Sequence, residues 1–262
     1  MVSSYHPDRP ALVSRLRAAG CVYAEDEADL LIAAVDTPAA LTRLVDRRVA
    51  GEPLEYLLGW AEFCGLRVAV APGVFVPRAR TALLVAAAAA LAGPAPAVAD
   101  LCCGSGATTL ALAARLAPRW LAAVDLDPAA VACARRNLAG RSVEVLHGDL
   151  YDPLPAAWRG RLDLVVANAP YVPTSAVALM PAEARRYEAR VALDGGADGL
   201  AVLRRVAAGA VEWLAPGGQL VVEVGESQVD ALDAELRAVG LRPRVVRARE
   251  WDATAMTARR PG

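Results

Sequence analysis

Residues 97–107 read AVADLCCGSGA, an apolar run that passes through a cysteine pair into two closely spaced glycines. The apolar run predicts a buried strand, and the Ala- and Leu-rich residues that follow predict a helix. Gly104 and Gly106 allow a sharp turn between the two elements and a close backbone approach to a ligand. Turns of this kind also occur without a ligand, so on these residues alone a plain tight turn remains open.

Strand and helix patterns alternate from this point to the end of the chain. The further β-type runs are LAAVDLD, SVEVLHGD, LDLVVANAPY, QLVVEVG, RPRVVRA and ATAMTAR. Such alternation predicts a parallel sheet with right-handed crossovers, and runs that are apolar on both faces predict helices on both sides. The last two runs lie too close together for a crossover helix, so they should pair antiparallel at the sheet edge. The sequence therefore predicts an α/β fold with a mostly parallel, seven-stranded sheet.

The part of the chain before this sheet changes character twice. Residues 8–50 carry apolar side chains at helical spacing, and Thr37-Pro38 combines a capping residue with a proline suited to a first helical turn. The stretch from Gly59 to Arg78 consists of short β-prone runs separated by glycine-containing turns, which predicts a hairpin. We therefore expect a helical domain over residues 1–58, a β-hairpin connector over 59–78 and an α/β domain over 79–262.

Composition narrows the class of protein. The chain has 262 residues, 56% of them hydrophobic, and a net charge of −1, which suits a globular protein and argues against one held to nucleic acid mainly by phosphate contacts. The apolar run from Ala82 to Ala92 is far shorter than the roughly 20 residues that span a bilayer, and the N-terminus is polar. Five cysteines without a C-x-x-C pair are typical of a reduced cytoplasmic protein. With only His6 and His147, we expect no histidine-built metal site.

Acidic side chains follow the next two predicted strands. Asp125 ends the second strand, where a carboxylate can accept both hydroxyl groups of a bound ribose. Asp149 follows the third strand, where it either accepts the amino group of adenine or caps a helix. A dinucleotide fingerprint needs a third glycine, and Thr109 occupies that place. Together with the antiparallel end of the sheet, this favours S-adenosylmethionine over a dinucleotide as the cofactor.

The fourth predicted strand runs into Asn168-Ala169-Pro170-Tyr171. Because the first and fourth strands flank the same crevice, we expect Asn168 to face the cofactor. An amide or exocyclic amine nitrogen is a poor nucleophile, so positioning must supply much of the catalysis. The Asn168 side chain and the Ala169 carbonyl can accept its N–H groups, and Tyr171 can offer a flat face. A strand end that turns through Asn and Pro with Tyr in the core is the structural alternative.

The chain resembles the HemK-like protein-(glutamine-N5) methyltransferases over essentially its whole length. The stretch Gly51–Gly59 together with Glu62-Phe63 and Val76-Pro77-Arg78 is similar to the family's connector, and Asp100–Gly106 to its cofactor loop. Arg186-Tyr187-Glu188 stands where the family carries an Arg-aromatic-Glu-Pro stretch. The resemblance implies a Rossmann-like class I methyltransferase that methylates a glutamine side-chain amide in a release factor or a ribosomal protein, with the N-terminal helices recognising that protein.

The resemblance also implies roles for individual residues. The backbone from Cys102 to Gly106 would line the methionine part of S-adenosylmethionine, Asp125 would bind its ribose, and Asp149 with Leu150 would contact adenine. The candidate cofactor-binding residues are Pro77, Asp100, Cys102, Cys103, Gly104, Ser105, Gly106, Asp125, Asp149, Leu150 and Asn168. The candidate catalytic residues, which would hold the substrate glutamine, are Asn168, Ala169, Pro170 and Tyr171.

The chain departs from the family pattern at two single residues and in one four-residue segment. Ala169 replaces the first proline of the usual Asn-Pro-Pro-Tyr, Cys102 replaces the first glycine of the cofactor loop, and Ala79–Ala82 replaces acidic residues after Pro-Arg. Ala169 keeps the carbonyl acceptor but frees φ, so we expect a looser glutamine pocket. The altered tetrapeptide resembles a subgroup whose protein substrate is unassigned. Thiol chemistry at the cysteine pair is disfavoured because the sequence shows no basic partner.

The leading hypothesis is a monomeric, cytoplasmic methyltransferase acting on a glutamine of a translation protein. The runner-up is an RNA or DNA amino-group methyltransferase, since adenine and guanine amines pose the same nucleophile problem. Those enzymes usually need base extrusion and a basic or aromatic surface, whereas this chain has a net charge of −1 and 5% aromatic residues. A cofactor-binding but inactive scaffold of the translation machinery is the third hypothesis.

Overall fold

The computed structural model describes residues 8–262, and residues 1–7, with His6 and most of the polar N-terminal stretch, lie outside that range. The α-helices are α1 (Arg9–Ala18), α2 (Ala24–Ala33), α3 (Pro38–Val49), α4 (Leu54–Leu58), α5 (Ala82–Leu91), α6 (Ala107–Arg115), α7 (Pro128–Asn137), α8 (Thr174–Val177), α9 (Ala182–Tyr187), α10 (Ala201–Trp213) and α11 (Val229–Ala238). The strands are β1 (Trp60–Phe63), β2 (Leu66–Ala69), β3 (Ala97–Leu101), β4 (Trp120–Asp125), β5 (Glu144–His147), β6 (Leu162–Ala167), β7 (Leu214–Glu223), β8 (Arg242–Ala248) and β9 (Ala253–Arg259). Among residues 8–262 no helix is both long and apolar enough to cross a membrane.

The first three helices pack around a small apolar core of their own. Their apolar side chains recur at helical spacing and converge on Leu16, Leu31 and Val45, all of them buried. The start of α3 follows from its sequence, because the Thr37 hydroxyl accepts the backbone N–H of Ala40 and a proline occupies the first turn. The predicted helical N-terminal part is therefore present.

Strands β1 and β2 form the predicted hairpin. They pair antiparallel, from Trp60 opposite Ala69 to Phe63 opposite Leu66. The turn between them passes through Cys64 and Gly65, which both have positive φ angles (53° and 76°). Phe63 belongs to the same apolar cluster as α5 and α6, so the hairpin is packed onto the larger sheet.

The large sheet has the strand order β5-β4-β3-β6-β7-β9-β8. Strands β3 to β7 are parallel, and β9 pairs antiparallel with both β7 and β8. In chain order, β4 and β5 are added on one side of β3, and β6 and β7 are then added on its other side. This confirms the predicted mostly parallel, seven-stranded sheet, and it creates a topological switch point between β3 and β6.

Helices cover both faces of the sheet, as the apolar runs predict. Alternate residues of β3 belong to different cores: Val98 packs with α5, α6 and α7, whereas Ala99 and Leu101 pack with α10 and α11. The edge strand β5 departs from that expectation, because its Glu144 and His147 are exposed. An edge strand has a neighbour on one side only, so full burial is not required of it.

The connection between β6 and α10 is longer than a simple crossover. It contains α8, α9 and a short 3₁₀ turn over Arg190–Ala192. A backbone bridge joins Val172 to Asp194, and another joins Glu188 to Gly73 in the segment after the hairpin. This connection therefore returns toward the hairpin and covers the carboxyl end of the sheet near β6.

Candidate active site

The switch point places the first and fourth strands of the large sheet side by side. In the register of the β3–β6 pair, Leu101 lies opposite Ala167, so Cys102 and Asn168 are the next residues on neighbouring strands. A cleft with about 1270 Å³ of empty space, part of it open to solvent, lies at this edge.

Most of the sequence-predicted residues line this one cleft. They are Pro77, Cys102, Cys103, Gly104, Ser105, Asp125, Asp149, Leu150, Asn168, Ala169, Pro170 and Tyr171. Two predicted residues do not line it. Asp100 is fully buried in β3, and Gly106 directly precedes α6, where an added β-carbon would lie 3.1 Å from the β-carbon of Ala134.

The loop from Cys102 to Gly106 turns through left-handed backbone. Gly104 and Gly106 have φ angles of 56° and 78°, and Cys102 has a φ of 56°. A side chain with a β-carbon is strained in this conformation, which glycine adopts without that cost. Removal from solvent, followed by the charges of Asp125 and Asp100, raises the pKa of the Cys102 thiol. The thiol is therefore a poor nucleophile, in agreement with the disfavoured thiol chemistry.

Asp125, at the end of β4, holds the glycine-rich loop in place. Its Oδ2 accepts the Gly104 backbone N–H at 2.8 Å and its Oδ1 accepts the Asp127 N–H at 2.9 Å. Burial raises the pKa of Asp125, while these two backbone hydrogen bonds oppose the rise. Each oxygen keeps a free lone pair, so the carboxylate can still accept the two hydroxyls of a ribose in the cleft.

Asp100 has a structural role behind the loop rather than a place in the cleft. The Thr109 hydroxyl of α6 donates to its carboxylate, which joins β3 to the helix that follows the loop. Burial raises the pKa of Asp100 to about 7. Thr109, which occupies the place of the third glycine of a dinucleotide fingerprint, therefore has a hydrogen-bond partner in the structure.

Asp149 lines the cleft and forms an ion pair rather than a helix cap. Its Oδ2 accepts from Arg205 Nη2 of α10 at 2.7 Å. Both side chains line the cleft, beside Leu150. Of the two readings that the sequence left open for Asp149, the helix cap is not formed, and the contact with adenine stays a prediction.

Asn168 is oriented by a neighbour from another part of the chain. Its Nδ2 donates to the Oγ1 of Thr81 at 3.2 Å. Thr81 is buried at the end of a 3₁₀ turn, Ala79–Thr81, that precedes α5. The amide oxygen has no hydrogen-bond partner among residues 8–262, so it can act as the acceptor for a substrate N–H.

Tyr171 lines the cleft and is partly buried against the main apolar core. Its hydroxyl donates to Glu223 Oε1 at 2.9 Å, at the carboxyl end of β7. Burial, with the nearby Glu223 charge next in size, raises the pKa of Tyr171, so its hydroxyl stays protonated. The Arg80 Nε lies 3.4 Å from the same Glu223 oxygen.

The turn that carries Asn168 and Tyr171 is fixed by Gln228. Its Nε2 donates to the carbonyl oxygens of Tyr171 and Asp198, both at 2.9 Å. Its Oε1 accepts the Gly225 N–H at 3.1 Å. Gly199 must be a glycine here, because a β-carbon would lie 2.2 Å from the Tyr171 carbonyl oxygen. These contacts constrain the turn although Ala169 replaces a proline.

Two motifs that the sequence shows separately meet at Glu188. Its Oε1 accepts from Arg78 Nη2 at 2.6 Å and from the Val76 backbone N–H at 3.2 Å. Nearby, the Tyr56 hydroxyl donates to the Val74 carbonyl oxygen at 2.6 Å. Glu188 therefore joins the connector to the segment between β6 and α10, and this positions Pro77 at the cleft.

Sequence reasoning missed Thr81, Gln228, Glu223 and Arg205. Glu223 could have been predicted from the sequence, because it is a polar residue at the end of a strand. The same signal identified Asp125 and Asn168. Gln228 follows that strand end in a short loop. Thr81 and Arg205 gave no signal, since they lie in a helical turn and within a helix, and only packing brings them to the cleft.

Comparison with known proteins supports the chemistry of this site. Residues 98–190 match a methyltransferase domain family. A release factor glutamine methyltransferase of Geobacter sulfurreducens is 43% identical over 74% of this chain and 68% of its own length. One of Mycolicibacterium smegmatis is 41% identical over 81% of this chain and 82% of its own length.

Two further matches have other names. A 4-amino-L-phenylalanine/4-methylamino-L-phenylalanine methyltransferase of Streptomyces pristinaespiralis is 35% identical over 86% of this chain and 78% of its own length. Among solved structures, the E. cuniculi Mtq2-Trm112 complex, responsible for methylation of the eRF1 termination factor, matches with a TM-score of 0.52. It is 21% identical and covers 72% of this chain and 99% of that one, so it supports the fold alone.

The matches confirm the predicted methyltransferase and its Rossmann-like α/β fold. With the domain match, they also confirm S-adenosylmethionine as the cofactor. The identity to the release factor enzymes extends over most of both chains. This chain belongs to the family of release factor glutamine methyltransferases.

Proposed function

We propose that this protein methylates the side-chain amide nitrogen (N5) of a glutamine in a protein, with a peptide chain release factor as the first candidate. The observation that carries the proposal is the position of Asn168. It follows β6 directly beside the glycine-rich loop after β3, and its amide nitrogen contacts Thr81, which leaves its oxygen able to accept a substrate N–H. Relatives at 41% and 43% identity that are named release factor glutamine methyltransferases support this substrate.

The chain's own residues act by orientation. An amide nitrogen is weakly nucleophilic because its lone pair is delocalised, so the protein must hold it in line with the methyl donor. The Asn168 Oδ1 and the Ala169 carbonyl accept the two amide N–H groups and fix the plane of the substrate amide. Tyr171, anchored by Glu223 and Gln228, packs against that plane.

S-adenosylmethionine, when bound, supplies a methyl group made electrophilic by its sulfonium. The backbone from Cys102 to Ser105 would hold its methionine part, Asp125 its ribose, and Asp149 with Leu150 its adenine. This fits the cleft, because the loop backbone is open at Gly104 and Asp125 keeps acceptor capacity toward the cleft.

The N-terminal helical domain, residues 1–58, would recognise the protein substrate. Arg48 of α3 pairs with Glu27 of α2 at 2.6 Å and reaches Glu183 of α9 at 3.4 Å. The helical part is therefore tied to the connection that borders the cleft, and a substrate bound on it would lie near Asn168. We also propose that the enzyme is a cytoplasmic monomer that acts on protein rather than nucleic acid.

A methyl-transfer assay tests the proposal. Purified enzyme and radiolabelled S-adenosylmethionine are incubated with a nuclease-treated extract of a host strain that lacks this protein, and labelled peptides are mapped by mass spectrometry. Label on a glutamine amide supports the proposal, with turnover lost in Asn168→Ala while calorimetry shows cofactor binding largely retained. Label that requires intact nucleic acid would favour the runner-up, and cofactor binding without any label would favour the scaffold.

The second candidate function is methylation of an aromatic amine on a free amino acid. The relative of Streptomyces pristinaespiralis supports it by name. The apolar part of the cleft favours it as well, because Phe75, Val172 and Leu193 line the cleft and would suit an aromatic ring. In the same assay this function would place the label in the small-molecule fraction of an undialysed extract.

A further inference from the structure

Arg80 is a cation inside the cleft whose hydrogen-bonding capacity is not used. Within residues 8–262 its side chain makes an ion pair at 3.4 Å with Glu223 but no hydrogen bond. A guanidinium group has five N–H donors in a planar fork that matches a carboxylate. The donors of Arg80 are therefore available to a ligand.

The other charges that line the cleft lie at its cofactor end. They are Asp125 and Asp127 after β4, and Asp149 with its partner Arg205 after β5. Arg80 lies instead next to Thr81, which contacts Asn168, and beside Glu223 at the end of β7. Neighbouring strands are about 4.8 Å apart, so the end of β7 lies roughly 10 Å from β3 and its glycine-rich loop. Arg80 therefore belongs to the end of the cleft that receives the methyl acceptor.

Glu223 anchors Arg80 from the protein side. The Glu223 side chain is 5% exposed, whereas that of Arg80 is 46% exposed. A ligand entering the cleft thus meets the guanidinium first, with the carboxylate behind it. The same Glu223 oxygen accepts the Tyr171 hydroxyl, so Arg80 and Tyr171 are held as one unit next to Asn168.

We propose that Arg80 determines acceptor specificity by binding a carboxylate close to the nitrogen that is methylated. The inference rests on the proposed glutamine methylation and names the class of acceptor: one with an acidic side chain beside the glutamine, or with the α-carboxylate of a free amino acid.

The test compares ligands that differ only in carboxylate against carboxamide. The first pair is the capped peptides Gly-Asp-Gln-Asp-Gly and Gly-Asn-Gln-Asn-Gly, and the second is L-glutamine and its α-amide. Affinities are measured by calorimetry on enzyme saturated with S-adenosylhomocysteine, so that the result does not depend on turnover. The variants are Arg80→Gln, Arg80→Glu and, as a matched control, Arg141→Gln, an exposed arginine in the turn before β5.

We expect the wild type to prefer the carboxylate member of one pair by about tenfold or more, the range for a hydrogen bond between charged groups. Preference within the peptide pair shows that the carboxylate bound by Arg80 belongs to an acidic side chain. Preference within the glutamine pair shows that it is an α-carboxylate. Arg80→Gln should reduce the ratio to within about twofold, Arg80→Glu should invert it, and Arg141→Gln should retain it.

Three results would overturn the inference. The first is equal affinity within both pairs for the wild type, which includes no binding of any member. The second is a ratio of carboxylate to carboxamide affinity that persists in Arg80→Gln. The third is a loss of S-adenosylhomocysteine affinity in Arg80→Gln with that ratio unchanged. The last would assign Arg80 to the methionine carboxylate of the cofactor. Failure of the proposed function is seen separately, as label on a group other than a glutamine amide in the extract assay.

Discussion

Thr81 accepts a hydrogen bond from the Asn168 side-chain nitrogen at 3.2 Å, and this contact joins two segments that are far apart in sequence. Thr81 ends the 3₁₀ turn before α5, whereas Asn168 ends the strand next to β3. In this arrangement the Asn168 amide nitrogen faces Thr81, and its oxygen has no hydrogen-bond partner among residues 8–262. Catalysis by orientation depends on this arrangement, because only the oxygen can accept a substrate N–H.

Replacement of Thr81 by valine should lower kcat by about 10- to 100-fold, because Asn168 loses the acceptor that orients it. Cofactor affinity should change little, since the contact lies on the acceptor side. Steady-state methylation of the mapped substrate, with calorimetry of the cofactor, measures both quantities. Thr81→Ser, which keeps the hydroxyl, is the control and should retain most of the activity. An equal loss in the serine variant would remove the hydroxyl from the explanation.

Asp125→Asn should weaken cofactor binding by about 10- to 100-fold, as expected for hydrogen bonds to a charged acceptor. Both Asp125 oxygens accept backbone N–H groups, so an asparagine must turn its own NH₂ toward one of them. The loop at Gly104 then loses its support. Calorimetric titration with S-adenosylmethionine gives the dissociation constant. Asp152→Asn, at an exposed aspartate just beyond the cleft, should bind as the wild type does, and a similar weakening there would point to a general charge effect.

Gln228→Ala should reduce kcat while cofactor affinity is maintained. Gln228 donates to the carbonyl oxygens of Tyr171 and Asp198, and its loss releases the turn that carries Asn168. We expect about a tenfold decrease in kcat, since small misplacements of reacting groups are costly. The exposed neighbour Asp230, at the start of α11, provides the control Asp230→Asn. Unchanged kcat in Gln228→Ala would show that the turn keeps its conformation without Gln228.

Asp100→Asn should flatten the pH dependence of stability between about pH 4 and 7. The pKa of Asp100 is raised to about 7 by burial, above the value of about 3.9 expected in the unfolded chain. In that window the folded state keeps the proton and the unfolded state has lost it, so stability falls as the pH rises. Each pKa unit corresponds to about 1.4 kcal/mol.

Thermal unfolding of both proteins at pH 5 and pH 8 measures this effect. The wild type should lose several degrees more in melting temperature than Asp100→Asn does. Asparagine keeps an acceptor for the Thr109 hydroxyl, so the hydrogen bond that joins β3 to α6 is preserved. Parallel pH profiles for the two proteins would show that Asp100 does not titrate in this range.

The sequence by itself determined the layout of the fold and the polar residues at the strand ends. The order of apolar runs and helices decided the sheet, because consecutive elements in an α/β protein pack next to one another. The glycines of the loop, Asp125, Asp149 and Asn168 could be found from their place after a strand, since the carboxyl ends of parallel strands meet at one edge.

Only the tertiary structure decided what surrounds those residues. Thr81 and Arg205 lie on helical segments whose sequence carries no sign of the cleft, and Arg78 meets Glu188 across a long stretch of chain. Such contacts depend on the angles at which helices and connections pack, which local sequence patterns do not encode. The same reason explains Asp100, which ends in the core rather than the cleft because side chains alternate between the two faces of a strand.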